Sequence, residues 1–103
     1  MTFDDMKKIA EPILAYWLQD VIDDENTRQM AAHFLAGDVV DLLKILFEQK
    51  HVDFDTLHTA VATILCRLYY FNLLPDPGDD ATEALSEAIA RVLYESTKVG
   101  EAA

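Results

Sequence analysis

Two carboxylate and imidazole pairs, Glu48 with His51 and Asp55 with His58, repeat a spacing of three residues. On a helix that spacing puts an acid and an imidazole on one face, as in the Glu-x-x-His element of carboxylate-bridged metal sites. Those sites need further inward carboxylates at the middle of a bundle, whereas these pairs flank one loop and fall at a bundle end. The simpler expectation is that His58 hydrogen-bonds Asp55 and that His51 favours the negative end of a helix. A small metal site around His51 and His58 therefore ranks third among the functional expectations, and the leading one takes no metal and no cofactor.

Nucleophilic chemistry finds less support. Ser86 and Ser96 both fall in the last predicted helix, without a glycine-flanked turn to present a hydroxyl or an assignable histidine partner. Gly37, Gly78 and Gly100 are too scattered to cradle a phosphate. His33, between Ala32 and Phe34, is expected as a satisfied, partly buried histidine. The single cysteine, Cys66, rules out an intramolecular disulfide and a Cys-rich zinc site, and its apolar surroundings from Ala62 to Leu74 predict a buried, inert thiol. Asp79 and Asp80 face different ways on a helix start and lack the pocket that paired acid and base work requires. No catalytic residue is assigned, and the chain is read as an interaction protein, not an enzyme.

Charge is the dominant signal. Nineteen Asp and Glu face eight Lys and Arg, a formal charge of -11, in a chain that is 51% hydrophobic. The apolar fraction offsets the chain entropy of folding, and the charge repels nucleic acid. Helix starts account for Asp4, Asp5, Asp38, Asp41, Asp53, Asp55, Asp79, Asp80 and Glu83, where carboxylates cap free amides and favour the positive end of the dipole. Spread evenly, the surplus charges would stand roughly 20 Å apart, beyond two Debye lengths, and would project little field. Function through charge thus requires clustering, and two runs supply it: Asp20, Asp23, Asp24 and Glu25, then Asp76, Asp79, Asp80, Glu83 and Glu87. Tyr16 stands beside the first run and could add cation-π contact with an arginine-rich surface. Trp17 fits the apolar stripe of its helix and is expected in the core.

The elements that must position these groups are helical, one all-α bundle of four to five helices. Thr2 and Asp5 form a capping box ahead of an apolar stripe that runs to about Ile22, with Pro12 inside it as either a kink or a new start. Thr27 is expected to cap a short helix through Ala36, Gly37 to end it in the left-handed conformation, and Asp38 to cap a third helix from Val39 to about Lys50. Asp53 or Asp55 starts a fourth, Phe54 to about Asn72, apolar in nearly all directions and therefore expected at the centre. The run from Leu74 to Gly78 breaks the chain, and Asp80 with Glu83 opens the last helix. Arg67, near the middle of the fourth helix, would cost roughly 3 kcal/mol in a bilayer, which argues against a membrane span. A single domain is predicted over residues 1–96 with a flexible tail over 97–103. Met1 to Lys8 show no secretory pattern, so the cytoplasm is the expected compartment.

These features together predict a small acidic protein that binds and occupies a basic surface of a protein partner, including a nucleic-acid-binding one. Inhibitors, immunity proteins, antitoxins and nucleic-acid mimics of phage or bacterial origin share this small, acidic, motif-free profile, an analogy of type only. The alternative is a helical homo-oligomerisation module, with Tyr69, Tyr70 and Phe71 at its contact, because three successive aromatics cannot all face one small core.

Overall fold

The computed structural model describes residues 1–48 and 51–102, with side chains through residue 97. Its described residues form four helices and no strand: α1 Phe3–Leu18, α2 Glu25–Glu48, α3 Phe54–Tyr70 and α4 Asp79–Ala102. The all-α class predicted from periodicity is the one observed. The backbone from Thr97 to Ala102, read from sequence as a tail, continues α4.

Local chemistry sets most helix ends. Thr2 and Asp5 bond reciprocally at 3.0 and 3.1 Å to start α1, and Asp53 accepts from the Thr56 amide at 3.2 Å to start α3. α3 ends in a Schellman motif. Asn72 takes the left-handed conformation (φ 58°), its amide reaching the Tyr69 carbonyl and that of Leu73 the Leu68 carbonyl. Leu68 and Leu73 both pack on the same core cluster, the apolar contact that accompanies this cap. Gly78, at φ 98°, makes the last turn before α4.

Two expectations about α1 and α2 are resolved. Pro12 lies within one helix and does not divide it. Gly37, expected to end a helix, instead sits inside a continuous α2, and the cap expected from Asp38 does not arise. Ala31, Ala32, Leu35, Ala36 and Val40 are buried on either side of it. Burial along the whole length outweighs the ~1 kcal/mol that one glycine costs a helix interior. A Cβ added at Gly37 would stand 3.5 Å from the Lys7 stem, ordinary van der Waals contact. Gly37→Ala is therefore expected to raise stability by about 0.5–1 kcal/mol, read as an increase in urea midpoint at unchanged slope.

The helices pack in sequence order, α1 on α2, α2 on α3 and α3 on α4. The bundle is flattened to 46 × 38 × 16 Å, little thicker than one helix. Two apolar clusters hold it. One joins Ala15, Leu18, Ile22, Ala31, Ala32 and Leu35 to Phe71; the other gathers Leu57, Val61, Leu65 and Ala90. α3 lies between α2 and α4 with Leu57, Val61 and Leu65 buried, but its Thr59, Thr63, Cys66 and Tyr70 flank is open to solvent. Cys66 is thus exposed, contrary to expectation, because a flat layer leaves one side of even a middle helix uncovered. Among the described residues no helix is long and apolar enough to cross a membrane.

Candidate functional site

Alternating helix directions bring the α1–α2 and α3–α4 connections to the same end of the layer. The two meet there in one buried cluster, which takes in Ile22 from the first connection and Phe71 from the second, with Leu73 packed against it. Both acidic runs predicted from sequence therefore occupy one end. Asp20, Asp23, Asp24 and Glu25 follow α1, Asp76, Asp79 and Asp80 lead into α4, and Glu83 and Glu87 continue along its first turns; all nine are exposed.

These carboxylates are only lightly neutralised. Among the described residues, none of the seven from Asp20 to Asp80 forms a salt bridge, while Glu83 approaches His58 at 3.5 Å and Glu87 approaches Arg91 at 4.0 Å. The arginines, Arg28 at this end among them, are engaged with the fold. Arg28 donates to the Ile22 carbonyl at 3.3 Å, Arg67 pairs with Asp38 at 3.3 Å beneath the Phe34 ring, and Arg91 stacks 4.2 Å from the centre of Phe54. Lys7 lies along Gly37 and Lys44 over Phe3, toward the opposite end.

Two acids have a structural duty at this end. Asp76 accepts from the Gly78 amide at 2.9 Å and shapes the turn. Asp24 accepts from the Thr27 hydroxyl at 2.6 Å and the Thr27 amide at 2.8 Å, so Asp24 and not Thr27 anchors the start of α2. The Thr27 hydroxyl, then its amide, and finally the charge of Arg28 hold the Asp24 carboxyl below its ordinary pKa. A depressed folded pKa contributes stability that is present above the unfolded value of about 3.9 and is lost as pH falls through the folded one. Thr27→Ala is expected to move the Asp24 titration upward in an NMR pH series, and to make α2 fray at a higher pH during acid unfolding.

The aromatic residues depart from expectation. Trp17 is 71% exposed and not core, because α1 packs chiefly on α2 and buries only the Ala15 and Leu18 side. Tyr16 is also exposed and meets Trp17 edge-on at 6.4 Å. Of the three aromatics considered for an oligomer contact, Phe71 is buried and Tyr69 is half-buried with its hydroxyl 3.4 Å from that of Thr82, so only Tyr70 is free to make one.

The histidines also find other partners. His33 is exposed and meets Glu11 at 2.9 Å. His58 does not bond Asp55; its Nε2 lies 2.8 Å from the Oγ of Ser86, a pairing across 28 residues that no local pattern announces. The Ser86 hydroxyl also donates to the Glu83 carbonyl at 3.0 Å. The contact of this imidazole with a fully buried serine ties α3 to α4. Among the described residues no three His, Cys, Asp or Glu side chains gather closely enough to hold a metal ion.

Comparison with protein-family models, with curated proteins and with solved structures finds no match to this chain.

Proposed function

We propose that this protein works by binding, its acidic end occupying a basic surface of a protein partner and competing with nucleic acid where that surface is a nucleic-acid site. The observation that carries the proposal is the convergence of two acidic runs at one end, seven of whose carboxylates lack a salt bridge among the described residues. Concentrated charge of one sign steers association and excludes partners of like sign. Tyr16, exposed on α1 ahead of the first run, is placed to add cation-π contact with an arginine. Immobilised protein should retain basic proteins from a cell extract at low salt, release them as salt rises, and compete with added duplex DNA for them. Retention that ignores salt, or selects neutral proteins, would contradict the proposal.

A further inference from the structure

The flat layer has two unlike faces. On α2, Ala36 and Val39 point about half a turn away from Asp38, Asp41 and Ile45. Ala36 and Val39 join Met6, Ile9, Ile13 and Leu14 of α1 in an almost wholly apolar groove of about 410 Å³. Asp38, Asp41 and Ile45 line a pocket with Thr59 and Thr63 of α3 on the other side. A neighbouring pocket shares Thr59 and Thr63 and reaches Glu83 of α4, so the Glu83 flank belongs to that polar side. Leu85, Ile89 and Val92, all exposed, lie on the opposite flank of α4 and hence on the groove side. Trp17 continues the α1 stripe through Met6, Ala10 and Ile13 at spacings of four, three and four.

We infer that this apolar face is covered by a second copy of the chain. The protein exposes 6945 Å², whereas a monomer of 11.6 kDa is expected to expose about 5,800 Å². The flat layer thus exposes a surplus of about 1,100 Å² over its two faces, against the roughly 800 Å² that each partner contributes to a standard interface. Charge favours a self-contact here. A chain with a formal charge of -11 repels its copy unless they meet through an uncharged surface with their acidic ends apart. The α1 stripe carries no charge, and a two-fold axis near Ile13 satisfies both conditions. It runs the two α1 helices antiparallel and sets the first acidic runs on opposite sides of the axis, with Asp20 of each copy roughly 10 Å from it along the helix, so that the two runs stand roughly 20 Å apart against a Debye length of about 8 Å. The same axis seats the exposed Trp17 of each copy over Met6 and Ile9 of the other, the reciprocal knob and groove of an isologous dimer. The inference stands on apolar area and is independent of the acidic-end proposal.

Sedimentation equilibrium of the full chain, repeated in high salt, tests it. The expected mass is twice 11.6 kDa, insensitive to salt. Ile13→Glu should weaken the dimer by about a hundredfold or more, since it places an unpaired charge at the two-fold axis. Thr63→Glu, on the polar face, should leave the dimer intact. Circular dichroism checks folding; should Ile13→Glu unfold, Trp17→Ala supplies the test, because so exposed a side chain contributes little to the monomer. A monomeric wild type, a dimer that survives both α1 substitutions, or one broken by Thr63→Glu overturns the inference.

Discussion

Leu57→Ala should cost about 2–5 kcal/mol of stability, among the largest losses expected from a single truncation in this chain. Leu57 is fully buried and is among the largest side chains so enclosed. It anchors the cluster in which α3 meets α2 and α4, beside Val61, Leu65 and Ala90. A layer little thicker than one helix has no second shell of side chains to collapse into the void, so the cavity persists and the cost lies toward the upper part of that range. Since small domains have only about 5–15 kcal/mol in total, the variant should unfold at markedly lower urea concentration and temperature. An unchanged urea midpoint would mean that this cluster is not the core.

Replacing Asp20, Asp23, Asp79 and Asp80 together by Asn should weaken capture of the basic partner and flatten its salt dependence. Each exposed ion pair contributes about 0.2–1 kcal/mol, so four together give about 1–4 kcal/mol, a loss of several-fold to several hundredfold. Stability should change little. Asn retains most of the capping ability of Asp, and among the described residues none of the four is in a salt bridge. Asp24 and Asp76 are left alone because they hold the start of α2 and the turn before α4. The loss should fall mainly on the association rate, as expected when charge steers encounter.

Signals confined to a few residues were legible in the sequence. The Thr2 and Asp5 box, the Asp53 cap and the break ahead of α4 each follow from side chains within three or four positions of their partners. Both acidic runs were legible as runs, but their meeting depends on Ile22 and Phe71, 49 residues apart, entering one buried cluster, which no local pattern encodes. Gly37 misled because its helix-ending tendency is local while the burial that overrides it is tertiary. Trp17 and Cys66 misled for a related reason. Apolar periodicity shows which side of a helix avoids water, but not whether a neighbour in the same chain covers it. The His58 and Ser86 pair needed α3 and α4 to be docked before it could be seen.

On the proposed function, the position of the charge, and not its total, produces binding. Replacing Asp4, Asp41 and Asp55 by Asn and Glu48 by Gln, all exposed and toward the opposite end, removes the same four charges, so this variant and the acidic-end variant both carry a formal -7 in place of -11. Their affinities for one purified basic partner at fixed low salt are the most direct test. Near-native binding by the opposite-end variant with a several-fold or greater loss for the acidic-end variant is the predicted result, and equal losses in both would contradict it.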